Sequence, residues 1–337
     1  MLLGSSYIPP HQPSHIEEDI KYMASLGCGQ VLFALQENHF QWLDGSIRFG
    51  AKIAKDYGLI PRACIWGFAN TSGGGRSSRV MLENPDMWRC DEEGVAYGGG
   101  YPYPMACYNN PKMVAKFGEY VEICAENGFE SIMIDEPTNQ VCFCKHCREK
   151  FTEMFDQPLD KMQDSAQYKV FEFSTVTDFV YRSVNVCKVV SKDIETSICM
   201  MPVDKDKFEK IASIPKLDVF GTDPYWLRPI NKLSFEDAVN ITKYGKKIAE
   251  KNNKKYELYL GCFGIDSGLE EKIYSGGKIL VDSGSPDYVT AWSFRGGIGL
   301  SNLSSEECEN PELAWDSIVK LYREVSANLS SDKGLNV

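Results

Sequence analysis

Eight short apolar runs recur along the chain, each of strand length and each followed by a stretch of helical periodicity, and this alternation leaves few architectures open. The runs are Leu2 to Ile8, Gln30 to Leu35, Ile60 to Trp66, Ser131 to Asp135, Thr196 to Met201, Leu217 to Thr222, Glu257 to Cys262 and Tyr288 to Phe294. They are near-continuously apolar rather than alternating, as strands covered on both faces must be. Repeated βα units of this kind build a parallel sheet with helices outside it. Eight of them in 337 residues predict an α/β chain folded as one (β/α)8 barrel, a fold of about 250 residues that leaves room here for enlarged βα loops. Residues 1–330 are expected to form this single barrel and 331–337 a C-terminal tail.

The helical stretches carry their own start signals. Ser14 with Glu17 reads as a capping box ahead of Ile20 and Met23, and Ser234 with Asp237 repeats it ahead of Val239. Further helices are expected over Lys112 to Asn127, from about Ser165 to Lys192, and over Pro311 to Asn328. One connection is out of proportion. Ala69 to Asn110 follows strand three and holds Gly73-Gly74-Gly75, Gly98-Gly99-Gly100 and the run YPYP; a loop this long in a compact domain is usually functional, and in a barrel it would lie over the catalytic face.

Charge narrows the partners. The formal net charge is -11 with no block of Lys and Arg, which argues against a nucleic-acid partner, since such affinity rests on cationic contacts to phosphates. No basic leader and no long apolar run is seen, so a cytoplasmic protein that does not span a membrane is expected. Homo-oligomerisation is left open. Of the 12 cysteines, most sit singly in apolar stretches and read as reduced packing residues; the cluster Cys142, Cys144 and Cys147 is different in kind.

Polar residues collect where the strands end: Glu37 and His39 after strand two, Asn70 after strand three, Asp135 and Glu136 at strand four, Asp223 after strand six, Asp266 after strand seven and Arg295 at strand eight. In a barrel these converge on one rim. Trp42, Trp66, Tyr225, Trp226 and Trp292 occupy the same strand-end positions. Flat aromatic faces beside carboxylates suit sugar rings, with their apolar CH face and polar hydroxyl edge. Glu37, His39, Trp66, Asn70, Tyr225, Trp226, Trp292 and Arg295 are therefore the expected substrate contacts, with two reservations: His39 also fits a strand-end cap and Arg295 an ion pair. The sharpest catalytic signal is SIMIDEP, which delivers Asp135 and Glu136 together at the end of a buried run; a neighbouring carboxylate raises an acid's pKa toward a useful value.

The stretches MACYNNPKMVAKFGEYVEIC and SIMIDEPTNQVCFCKHCREKF resemble family-42 glycoside hydrolases, the β-galactosidases of a large clan of barrels with catalytic glutamates on strands four and seven. The resemblance implies glycosidase activity on a carbohydrate, with Glu136 as acid/base, and a metal site of Cys107, Cys142, Cys144 and Cys147. Four thiolates would make a closed structural zinc site; no organic cofactor is implied. Two positions depart from the pattern. Asp135 stands where the clan has Asn, and strand seven ends YLGCFGIDSG, with no Glu.

The second carboxylate is thus open. Asp223 in FGTDPYW is the first choice as nucleophile or base, Asp266 and Glu37 are further candidates, and Asp135 could orient a substrate acetamide that serves as its own nucleophile. Two other classes remain beside a glycosidase: a non-catalytic sugar-binding barrel, and a metal-dependent isomerase or lyase using Glu37, Asp135 and His39.

Overall fold

A computed structural model of the chain describes residues 1–71, 78–96, 104–159, 165–228, 231–297 and 308–334. Both glycine triplets and the first three residues of YPYP lie outside the described residues. Eight strands form a closed barrel in sequence order, every neighbouring pair parallel. They are β1 Leu2–Tyr7, β2 Gln30–Leu35, β3 Ile60–Ile65, β4 Ser131–Asp135, β5 Glu195–Met200, β6 Val219–Thr222, β7 Lys255–Gly261 and β8 Tyr288–Trp292. Each apolar run in the sequence is one of these strands, because only a strand enclosed by the barrel interior on one side and helices on the other has no polar face to show.

The helices are α1 Pro13–Ser25, α2 Glu37–Gln41, α3 Gly45–Asp56, α4 Arg79–Glu83, α5 Pro111–Glu126, α6 Lys145–Phe155, α7 Ala166–Val190, α8 Phe208–Ala212, α9 Phe235–Lys251, α10 Glu271–Gly284 and α11 Pro311–Gly334. Ser234 caps α9 as expected, accepting from the Asp237 amide at 3.0 Å. Ser14 does not cap α1: the helix begins one residue earlier, at Pro13, behind Gln12, whose side chain makes no cap bond. A proline in the first turn needs no hydrogen bond for its missing N–H and has its φ already set, which fixes the start without a box. Helix α11 runs to Gly334, past the 330 boundary drawn from the sequence.

The main core lies between strands and helices. The lower barrel interior holds a polar network instead. Arg62 on β3 donates from both terminal nitrogens to the two carboxylate oxygens of Glu257 on β7, each at 2.6 Å, and both residues are 0% exposed. Gln30 and Thr290 complete it, the first accepting from Arg62 at 2.9 Å and the second donating to Glu257 at 2.6 Å, while Ser197 accepts from Arg62 at 3.1 Å. Glu257 is therefore a structural acid at the bottom of β7, far from that strand's C-terminal end. No helix among the described residues is long and apolar enough to cross a membrane.

Candidate active site

At the opposite, C-terminal end of the barrel, the strand ends deliver three carboxyl groups to one place. Asp135 is the last residue of β4, Glu136 the next, and Asp223 the first residue after β6. Glu136 is held in the left-handed region at φ 35°, with its amide bound to the Cys199 carbonyl of β5 at 3.1 Å. A non-glycine residue there carries strain that the surrounding structure must enforce, and such strain gathers at functional positions.

Asp223 is 2% exposed and its Oδ1 has no hydrogen-bond partner. Burial raises its pKa well above the usual carboxylate range, and the neighbouring Glu136, which is also its hydrogen-bond partner, raises it further. Asp135 is likewise pushed well up, first by burial and then by Glu136. Its side chain keeps partial access to solvent. Like charges this close disfavour one another's ionisation, which favours the protonated form of Asp135 and Asp223.

Aromatic rings gather at the same end of the barrel. Trp66 and Trp292 meet edge to face at 5.6 Å between centroids, and Tyr225 and Phe263 do so at 5.2 Å. These four rings belong to one buried cluster with Cys64, Met133, Cys199 and Tyr259. The thiols of Cys64 and Cys199 are driven far up by burial and then by the carboxyl groups above them, so they form an inert floor. Arg228, on the loop after β6, places its guanidinium 4.2 Å from the Phe263 ring centre. Cys64 and Cys199 are among the cysteines read from the sequence as reduced packing residues, and they are free and buried; Phe263 and Arg228 were not singled out, and only their nearness to strand ends could have pointed to them.

At the end of β7, where a second glutamate was sought, stands Gly261. A Cβ there would lie 2.8 Å from Cδ1 of Tyr225, so the Tyr225 ring occupies the space that a strand-seven side chain would use. Asp266 is exposed, on a turn closed by Leu269 donating to its carbonyl at 3.2 Å.

Several expected substrate contacts are engaged elsewhere. Glu37 accepts from the Ala69 and Val80 amides at 3.0 and 3.1 Å and from the Ser78 hydroxyl at 2.5 Å, pinning the loop after β3. His39 caps α2, its Nδ1 accepting from the Gln36 amide at 2.9 Å and its Nε2 facing the Pro9 carbonyl at 3.2 Å; burial lowers its pKa. Trp226 turns outward against Phe235 and over Gly276 of α10. Arg295 pairs with Asp19 at 3.5 Å and lies over Tyr22. Asn70 donates to the Pro104 carbonyl at 2.8 Å and leaves its Oδ1 buried without a partner. Trp42 is 68% exposed beneath Arg79. A mixed metal site of Glu37, Asp135 and His39 is not formed. Among the described residues, the group of side chains that closes up to metal-binding distance is Cys107, Cys142, Cys144 and Cys147, whose sulfurs all lie within 4.8 Å of one another.

In that centre Cys107 stands 3.4 Å from Cys147 and 3.5 Å from Cys144, sulfur to sulfur. Ligands at about 2.3 Å around a tetrahedral ion would be separated by about 3.8 Å, so the spacing fits one cation. Hydrogen bonds from Cys107 lower the pKa of Cys142 and Cys144, while Cys107 and Cys147 are pushed up. Asn109 donates to Cys147 at 3.3 Å. Gln140 ties the same two loops, bonding Tyr108 and Ala106 at 3.0 Å each. The centre and Gln140 thus fasten the loop after β3 to the segment that follows Glu136.

No family model and no curated protein matches the chain. Solved structures do match in fold. A β-galactosidase from the psychrophilic Marinomonas ef1 aligns with TM-score 0.71 at 14% identity, covering 99% of this chain and 60% of that one. A GH42 β-galactosidase from G. stearothermophilus, solved as a catalytic mutant, aligns at 0.66 and 12%, covering 96% and 56%. The catalytic domain of β-amylase from Paenibacillus polymyxa aligns at 0.62 and 10%, covering 95% and 98%. At these identities the likeness is one of fold: a barrel shared with GH42 β-galactosidases and other glycoside hydrolases. The chain spans about three fifths of the length of the two β-galactosidases.

Proposed function

We propose that the protein is a glycoside hydrolase acting on a small glycoside, with Glu136 as the general acid. The observation that carries this reading is the convergence of Asp135, Glu136 and Asp223 at the C-terminal end of the barrel, beside a buried cluster that holds Trp66, Tyr225, Phe263 and Trp292. Glycosidic cleavage needs a protonated carboxyl at the leaving oxygen, and a buried cluster of like charges keeps a proton at neutral pH.

The second role follows from spacing. A nucleophilic carboxylate stands about 5–5.5 Å from the acid and an inverting base about 6.5–9.5 Å. Asp223 is in hydrogen-bonding contact with Glu136, closer than either, and its pKa is pushed well up by burial and by Glu136. It suits a proton reservoir for Glu136 better than a nucleophile. With Gly261 at the end of β7, the reading that fits best is substrate assistance, in which the acetamide of an N-acetylhexosaminide attacks its own anomeric carbon and Asp135 orients it. The covering of Gly261 by Tyr225 also favours a second reading, a barrel that binds sugar without cleaving it. The four-cysteine centre is read as a structural zinc site, since four protein ligands leave no open position for chemistry. Twelve free thiols favour a reducing, cytoplasmic setting.

A panel of aryl glycosides tests the function. Turnover of N-acetylhexosaminides, with Glu136→Gln slower by roughly 10²–10⁴-fold on a poor leaving group, is expected. Equal turnover of galactosides would move the nucleophile back to Asp223. Tight sugar binding with no turnover across the panel would establish the binding barrel, and an unchanged rate in Glu136→Gln would remove Glu136 from the mechanism.

A further inference from the structure

A chain of polar side chains reaches the four-cysteine centre from outside, through a single amide. Asn109 stands two residues after Cys107, in the turn ahead of α5, and is half-buried. Its Nδ2 donates to the Cys147 sulfur at 3.3 Å and to the Thr175 hydroxyl of α7 at 3.1 Å, while its Oδ1 accepts from the Lys150 ammonium of α6 at 2.9 Å. Lys150 also donates to Asp178 of α7 at 3.1 Å. Arg182, four residues on, donates to the same carboxylate at 3.0 Å and to the Tyr108 carbonyl at 2.6 Å.

An ammonium can only donate. Lys150 therefore fixes which end of the Asn109 amide is oxygen, and both hydrogens of Nδ2 are left for Thr175 and Cys147. Reversing the amide would set its NH₂ against the ammonium and its oxygen against the sulfur. Four thiolates carry more negative charge than a divalent cation cancels, so an N–H aimed at one of them relieves the excess, and a cation bonded to the far side of the amide polarises that N–H further.

We propose that Asn109 is a positioning residue of the metal centre, holding Cys147 in the ligand set through an N–H···S bond that Lys150 orients. This rests on the metal reading above. Through Asn109 the centre joins the loop after β3 and the segment after Glu136 to α7 as well as to each other.

Two substitutions separate this role from a tether. Asn109→Asp keeps the shape and still accepts from Lys150 and Thr175, but has no N–H for Cys147; Asn109→Leu also lacks the N–H and adds no charge. Zinc(II) affinity, read by competition with a chromophoric chelator, should fall about 10–100-fold in both, the usual cost of removing a partner of a metal ligand. In the cobalt(II)-loaded chains the sulfur-to-cobalt charge-transfer band should move to lower energy as Cys147 regains electron density. Unaltered affinity with an unmoved band, or a fall in one variant only, would overturn the proposal. Should neither variant fold, Lys150→Met decides: Asp178 keeps Arg182, the amide loses what orients it, and zinc(II) affinity should fall about tenfold, whereas an unchanged affinity overturns the proposal. A wild-type chain that binds neither zinc(II) nor cobalt(II) would overturn the metal reading itself, and the positioning role with it.

Discussion

The lower layer of the barrel buries a guanidinium against a carboxylate, whereas the upper end of the same barrel gathers three carboxyl groups against one another. Below, every charge of Arg62 and Glu257 is met: two bonds at 2.6 Å between them and further partners in Gln30, Thr290 and Ser197. Above, Asp223 keeps an oxygen without a partner, Glu136 sits at φ 35°, and the neighbouring carboxyl groups raise the cost of ionising Asp135 and Asp223. Asp223 is nearly as buried as Arg62 and Glu257, while Asp135 and Glu136 keep partial exposure, so burial alone does not mark a site. What separates them is compensation: a satisfied pair fixes the barrel, and an unsatisfied cluster of one sign is poised to move a proton.

The largest effect that would sharpen this contrast is on rate. Glu136→Gln should lower kcat by roughly 10²–10⁴-fold with little change in the urea midpoint, because the upper layer contributes chemistry rather than stability. Arg62→Ala should do the reverse. It leaves Glu257 buried without its cation, at a cost of about 3–5 kcal/mol in chemical denaturation, with KM unaltered in the protein that remains folded; Arg62→Met with Glu257→Leu should recover most of the loss. A cost under about 1 kcal/mol for Arg62→Ala would break the comparison.

Acidity offers a smaller and more specific check. The folded pKa values of Asp135 and Asp223 are raised, above an unfolded value of about 3.9. The folded state therefore binds protons more tightly, and the stability these groups lend is full below about pH 4 and is lost as pH rises through the folded values. Asp223→Asn removes its share of this loss. Stability should decline less steeply with pH in the variant, by about 1.4 kcal/mol for each unit of raised pKa, as read from urea unfolding across a pH series. A parallel pH dependence in the two proteins would show that Asp223 ionises freely. The smallest effect is expected at the wall, where Trp292→Ala should raise KM about fivefold through loss of roughly 1 kcal/mol of ring stacking, with kcat nearly unchanged.

Legibility followed the range of the signal. All eight strands were readable because each is a local apolar run, and α9 because Ser234 and Asp237 are three residues apart. The four cysteines were readable because three of them share one short segment. Facing was harder to read. Tyr225 and Trp226 are adjacent in sequence, yet one ring enters the mouth and the other packs on α10; beyond the strand end the two-residue alternation that fixes facing no longer applies. Glu37 and His39 follow β2, but other groups take up their polar atoms: Ala69, Ser78 and Val80, on a loop whose course no periodicity reveals, bond Glu37, and the Gln36 amide and Pro9 carbonyl engage His39.

By itself, then, the sequence determined the number and order of the strands, their enclosure on both faces, and Glu136 at the end of β4 beside a cysteine cluster, since each depends on neighbours a few residues away. Tertiary structure alone decided that Arg62 would meet Glu257, 195 residues distant, that Asp223 would touch Glu136, and that Tyr225 would cover the end of β7. Those contacts are made across the barrel, where closure of the sheet brings together residues that no local pattern relates.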